Sequence, residues 1–211
     1  LGWLLCGVSQ HPVLQKWVAL AREGKLTGPQ AMMNLRFKPL EELYDSKNDP
    51  HHIHNVIDDP RYAGIVGKMR KRLRDWTLET RDLGLLDETE ILQRAASHAS
   101  HFELAQSIDN YERILETADL MVQGKAAVDE LIARTKDADS AVRFWAAIGL
   151  VALRSDDAKV VPALQSAAKD KSISVRITAA DGLFNLGRYE DGLPAIIAAL
   201  TVVVGWLHFK N

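Results

Sequence analysis

The chain has a single cysteine, Cys6, among its 211 residues, so an internal disulfide is excluded. That suits a reducing compartment, and equally an exported protein that needs no covalent staple. No apolar run approaches the ~18 residues of a membrane span. Neither charge is in excess: 26 Lys and Arg stand against 28 Asp and Glu, a net charge of −2. A general binder of phosphate backbones shows a basic surplus, so nucleic acid is not an expected partner. The opening residues Leu1 to Val8 have no initiator Met and no charged stretch ahead of the apolar core. They do not read as a signal peptide, but as a chain entered in the middle, so localisation cannot be read from them.

What is present is a helix-forming sequence with 47% hydrophobic and 26% charged residues, enough for a good-sized core. It is organised around a segment written twice. Lys136-Asp137-Ala138-Asp139-Ser140-Ala141-Val142-Arg143-Phe144-Trp145-Ala146-Ala147-Ile148-Gly149-Leu150 returns 33 residues later (169 − 136) as Lys169 to Leu183. Lys, Asp, Val-Arg, Ala-Ala and Gly-Leu recur in place, and Leu153 is matched by Leu186. A fixed period of this size marks a repeat architecture.

Taken in order, residues 11–23 predict a helix with Val13, Leu14, Trp17, Val18 and Ala21 on one face, Pro12 in its first turn and Gly24 just past its end. A short helix starts after Pro29. Leu43 to Asp45 read as a short extended segment before a turn. Asp59 and Pro60 open a long helix over 60–82, with an apolar stripe of Ile65, Met69, Leu73, Trp76 and Leu83. Another helix covers 87–97. His98 to Asp109 is weakly patterned and reads as irregular. Six helices follow, over 110–123, 125–136, 139–153, 158–169, 172–186 and 190–204, and pair into three hairpins. Ala146, Ala147 and Gly149, with Ala179, Ala180 and Gly182, allow close helix approach.

The motif Asp-x-x-x-x-Val-Arg-x-x-Ala-Ala-x-Gly-Leu, beginning at Asp137 and again at Asp170, makes the array 110–204 resemble the HEAT-like repeats. The resemblance implies an α-α superhelix. It also implies that Arg143 and Arg176 reach turn acids such as Asp137 and Asp170; otherwise these arginines are exposed charges at helix starts. The family includes iron-binding hydroxylases with His-Glu pairs in the repeat helices. Here Phe144-Trp145 and Ile177-Thr178 stand at the matching places, which argues against that activity.

Residues 11–86 resemble the C-terminal end of a sulfatase-family hydrolase. The carrying residues are Trp17, Glu23 to Thr27, Pro39 to Asp45, Asn48-Asp49-Pro50-His51, Asn55 to Pro60, and Trp76 with Glu79 to Leu86. Asn55-Val56-Ile57 stands where Asn-Leu-Ala is common. Some members continue into HEAT-like repeats. The activity does not follow from this likeness. Sulfatases need a Cys or Ser in Cys/Ser-x-Pro-x-Arg, matured to formylglycine, and an upstream calcium site, and neither is found here. Cys6 is followed by Gly7-Val8-Ser9-Gln10, so it cannot be that nucleophile.

Three further groups of residues carry chemical potential. His51, His52 and His54, with Asp49 and Asp58, resemble a metal cluster, but adjacent histidines in an extended turn point apart, and a solvated turn is the simpler reading. His98 and His101 have no accompanying His-Glu-x-x-His pattern. The basic run Lys68 to Arg74 shares its helix with the apolar stripe and is followed by Asp75, Glu79 and Asp82. It reads as a solvated face, with an anion or glycan-sulfate contact as the alternative and nucleic acid third.

The sequence therefore predicts an all-α protein, an α-α superhelix of HEAT-like helical hairpins. An N-terminal helical or irregular segment carries at most a short strand. The expected domains are 1–58, sulfatase C-terminal-like; 59–109, connecting helices; and 110–211, the repeat array. No catalytic, cofactor-binding or metal-binding residue is expected. The expected partners are proteins: an own catalytic domain, a second copy or another protein. Two functions fit: a non-catalytic C-terminal portion of a sulfatase-like hydrolase, periplasmic or extracellular if that likeness holds, or a free-standing HEAT-repeat adaptor.

Overall fold

The computed structural model describes residues 11–32, 38–154 and 157–208, with side chains described as far as Leu200. Leu1 to Val8, Cys6 among them, lie outside the described residues. So does the end of the short helix expected after Pro29. The chain separates into two compact units, 1–69 and 70–211. Among the described residues every regular element is a helix, and no strand forms.

In the first unit, α1 (Pro12–Arg22) carries proline in its first turn, and Gly24 beyond its end takes φ 66°, which glycine adopts at little cost. α2 (Pro29–Met32) is a single turn. Neither helix buries a residue. The segment expected to be extended at Leu43–Asp45 is not a strand. It accepts one backbone bond from farther along the chain, from the Val56 N–H to the Leu43 carbonyl at 2.8 Å. A lone strand has no ladder to join. Asp59 then accepts from the Arg61 N–H at 2.9 Å and opens a short 3₁₀ turn, Pro60–Tyr62, leading into α3 (Ala63–Thr80). The division between the units falls within α3.

In the second unit, α4 (Glu88–Ala95) and α5 (His101–Ser107) precede the array. α5 corrects the expectation of irregular chain over 98–109. Ser100 accepts from the Glu103 N–H at 3.2 Å, and the Glu103 carboxylate accepts from the Ala99 N–H at 3.0 Å. This is a variant of the Ser-x-x-Glu capping box, a signal that was present in the sequence. The array follows as α6 (Tyr111–Asp119), a 3₁₀ stretch Leu120–Ala127, α7 (Val128–Arg134), α8 (Ser140–Leu153), α9 (Val160–Ala167), α10 (Ile173–Asn185) and α11 (Tyr189–His208). The expected continuous helix over 110–123 breaks up after Asp119, and Gly124 lies outside helical geometry at φ 62°.

Two clusters form the core of this unit. The larger gathers Leu131, Ala146, Leu150, Val160, Leu164, Val175, Ala179, Ala180 and Leu183 from successive hairpins. The smaller joins Leu86, Ile108, Tyr111, Ile114, Ala141 and Val142, with Leu78, Leu83, Leu85, Ile91 and Trp145 packed against it. The small residues let the helices approach closely. A Cβ on Gly149 would meet the tips of Leu131 at 2.8 and 2.9 Å, and one on Gly182 would meet Val151 Cγ2 at 2.6 Å.

Most of the stripe expected to be buried on α3 is turned outward: Ile65, Met69, Leu73 and Trp76 are exposed, while Leu83, past the end of the helix, packs against the smaller cluster. In the second unit the helix docks instead through Arg74 and Leu78, one turn apart. Arg74 reaches Glu112 at 2.9 Å and Asp119 at 3.2 Å on α6, while Leu78 enters the smaller cluster. The packing of Leu78 and the ionic contact beside it accompany this rotation of the helix, and apolar periodicity alone did not reveal it.

Candidate interaction surface

The recurring Asp and Arg of the repeats build a ladder along the array. In the turn before α8, Asp137 Oδ1 accepts from the Asp139 N–H at 3.0 Å, and Asp139 caps the helix by accepting from the Ala141 N–H at 2.7 Å. Arg143, on the first turn of α8, donates through Nη1 to the carbonyls of Asp137 and Ala138, both at 2.9 Å. Its Nε and Nη2 extend to Asp170 in the turn before α10, at 2.7 and 2.9 Å. Asp170 also accepts from the Ser172 N–H at 2.7 Å. The same step occurs one hairpin earlier, where Arg113 Nε meets Asp137 Oδ2 at 2.7 Å. Turn acids thus join successive hairpins, as expected for Arg143, whose charged partner is Asp170.

Arg143 and Asp170 are deeply placed, with side chains 6% and 10% exposed. Burial alone would raise the Asp170 carboxyl, but the hydrogen bonds from Arg143 and from the Ser172 N–H outweigh it, so its pKa lies below the ordinary carboxylate range. Asp139 behaves alike. Burial opposes its ionisation, while Arg94 and the Ala141 N–H more than compensate.

Arg176 departs from the pattern. Its Nη1 donates to the Asp170 and Lys171 carbonyls at 2.7 and 3.1 Å, in register with Arg143. Its Nε, which in Arg143 holds the next aspartate, is buried without a hydrogen-bond partner among the described residues.

The stretch 81–94 runs along the first helices of all three hairpins. Tyr111 on α6 donates to the Asp82 carbonyl at 2.8 Å, and Trp145 Nε1 on α8 donates to the Leu85 carbonyl at 2.7 Å. Arg94 binds Glu90 at 3.1 Å and Asp139 at 2.8 Å. On α10, Ser174 Oγ donates to Asp87 at 2.6 Å, and Ser172 Oγ contacts the buried Glu90 at 3.3 Å. Burial, opposed by the charge of Arg81 and aided by that of Asp82, pushes the Tyr111 hydroxyl up to about 12. None of these ties was anticipated; they join residues distant in sequence and leave no local periodicity.

The polar residues of the first unit form a hydrogen-bonded frame. Asn55 Oδ1 accepts from the N–H groups of Leu43 at 2.9 Å and Ile57 at 3.1 Å. Asp45 accepts from Asn48 Nδ2 at 2.8 Å and from the Tyr62 hydroxyl at 3.2 Å, and these bonds hold its carboxyl below the ordinary range. His52 stacks on Tyr44 with centroids 5.1 Å apart, and its Nε2 lies 2.9 Å from Ser46 Oγ. Asp49 accepts from the His54 N–H at 2.7 Å. His98 lies against the Arg94 carbonyl at 2.9 Å, while His101 begins α5, so the two do not share a helix face. Among the described residues no group of three or more His, Cys, Asp or Glu is placed to hold a metal ion, and no helix is long and apolar enough to cross a membrane. In the basic run, Lys71 pairs with Asp75 at 2.6 Å and Arg74 with the acids of α6. Phe144 and Trp145 pack edge to face at 5.9 Å, with Phe144 against the larger core cluster.

Residues 128–203 match the family model for HEAT repeats. The chain is also similar to the ulvan-active sulfatase of Formosa agariphila, 34% identical over 83 residues, which are 39% of this chain and 14% of that protein. It is 32% identical over 72 residues to the human N-sulphoglucosamine sulphohydrolase, covering 34% of this chain and 14% of the relative. A 42-residue match to the uncharacterized sulfatase YidJ of Escherichia coli is 48% identical and covers 20% of this chain and 8% of that one. The chain therefore spans only a small part of the length of these relatives. No solved structure matches it. The chain joins a region similar to sulfatases to a set of HEAT-like repeats.

Proposed function

We propose that this chain is the non-catalytic C-terminal portion of a sulfatase-like hydrolase, with its HEAT-like repeats serving as a packing or protein-interaction scaffold. In this reading residues 1–58 are the sulfatase C-terminal-like segment, 59–109 connect, and 110–211 form the array. One observation carries the reading. The polar side chains that make the sulfatase likeness distinctive, Asp45, Asn55 and Asp59, hold turns and backbone N–H groups in place instead of converging on a cavity. The ladder of the repeats is likewise a hairpin-to-hairpin joint, built from a deeply placed ion pair at Arg143–Asp170 and a more exposed one at Arg113–Asp137. The partner class that such an array favours is protein.

The test is a sulfate-ester assay of the purified chain with an aryl sulfate and calcium. No turnover above a heat-killed control is expected. Turnover that depends on the chain would overturn the reading.

A further inference from the structure

The run along 81–94 departs from the nearest-neighbour rule of a repeat array, in which each unit contacts only the next. It crosses the three hairpins in order and then turns back. The carbonyls of Asp82 and Leu85 accept from Tyr111 on α6 and Trp145 on α8. Asp87 and Glu90 then meet α10, and Arg94 returns to Asp139 in the turn before α8. The first hairpin, α6–α7, and the last, α10–α11, are thereby tied through a segment that belongs to neither.

The repeats are adapted to this run. Ser172 and Ser174 stand one period after Asp139 and Ala141 (172 − 139 = 33; 174 − 141 = 33). Asp139 caps α8 and meets the cation of Arg94. Ser172 stands at the equivalent place before α10 yet makes no capping bond; its hydroxyl donates to the Glu90 carboxylate at 3.3 Å. An aspartate there would set two carboxylates against each other. Ser174 takes the place of a core alanine, and its hydroxyl donates to Asp87 at 2.6 Å and lies 3.2 Å from Thr89 Oγ1. Glu90 is itself only 4% exposed, and its second oxygen accepts from Arg94 at 3.1 Å. A buried hydroxyl costs free energy unless it is bonded, so both sides of the contact are matched in sequence. We infer that the 81–94 run is a clamp that couples the first hairpin to the last, so that α6, α8 and α10 open together. Any surface that the array presents to a partner is then held in one fixed arrangement. The inference rests on these contacts and not on the sulfatase relation, so it and the assay above fail separately.

Hydrogen exchange on the intact chain under native conditions, read by mass spectrometry, tests it. The amides of α6, α8 and α10 are expected to exchange through one common opening. Ser174→Ala, made on α10, should then speed α6 as much as α10, and Tyr111→Phe, made on α6, should speed α10. Each effect is about fivefold, the scale of one lost hydrogen bond. Denaturant midpoints complete the test. Separate sites add, but a clamp released at one end loses its hold at the other, so the double variant should unfold close to the midpoint of the weaker single one. Changes felt only on the hairpin that carries them overturn the inference, and so does a double variant whose losses simply add.

Discussion

Two copies of one motif, 33 residues apart, end in different environments. Arg143 and Arg176 occupy the same helical position and make the same two bonds to the carbonyls of their own turn. Among the described residues only Arg143 of the two has an aspartate beyond it. A repeat motif therefore specifies half of each joint, and the neighbouring hairpin supplies the rest. Stability in such an array is approximately a sum of hairpin and interface terms, so the two arginines should differ in energetic weight despite near-identical local sequence.

The largest expected effect comes from breaking the complete joint. Arg143→Ala leaves the buried Asp170 uncompensated and should cost about 3–5 kcal/mol, the range for truncating one member of a buried pair. Arg176→Ala removes only neutral carbonyl bonds and should cost about 1 kcal/mol. Denaturant midpoints compare the two. Asp170→Ala with Arg143→Ala should be non-additive by about 0.5–3 kcal/mol. Equal costs for the two arginines would mean that the aspartate contributes nothing.

The paired glycines sharpen the same comparison. A Cβ at Gly182 runs into Val151, whose branched side chain is held to one rotamer in a helix, at 2.6 Å. At Gly149 it meets only the movable tips of Leu131. Alanine gains about 1 kcal/mol of helix propensity at either site, against an overpacking cost of about 1–3 kcal/mol. Gly182→Ala should therefore be clearly destabilising and Gly149→Ala close to neutral, measured by thermal unfolding.

Acid should act on the joint in a direction fixed by Asp170. Its folded pKa is depressed, so its contribution is complete above the unfolded carboxylate value of about 3.9 and is lost as pH falls through the folded value. Asp170→Asn lacks this titration. Its stability should fall less steeply than that of the unaltered chain as the solution is acidified below about pH 4, as followed by midpoints at stepped pH.

The sequence revealed the array because its signals are local and periodic: the doubled Val-Arg, the Ala-Ala pairs and the glycines each mark one face of one helix. It also pointed to an arginine reaching the turn acids. It misplaced the buried side of α3, where Leu78 packs inward beside Arg74, which binds acids on α6 far along the chain. It missed α5, whose Ser100 and Glu103 were legible as a cap but lay in a stretch without apolar rhythm. The run along 81–94 was not legible at all, since carbonyl acceptors such as those of Asp82 and Leu85 carry no side-chain signature.

The smallest effect belongs to that run. Tyr111→Phe removes one hydrogen bond to the Asp82 carbonyl and keeps the ring in place, a loss of about 1 kcal/mol near neutral pH. Its pH dependence is more telling. The folded pKa of Tyr111 is raised, so the tyrosine's contribution is complete below the unfolded value of about 10. It is lost as pH rises towards the folded value of about 12. In the phenylalanine variant this part of the alkaline decline is absent, so the two stability curves should converge as pH rises above about 10. Curves that stay parallel through that window would show that Tyr111 does not anchor the 81–94 run through its hydroxyl.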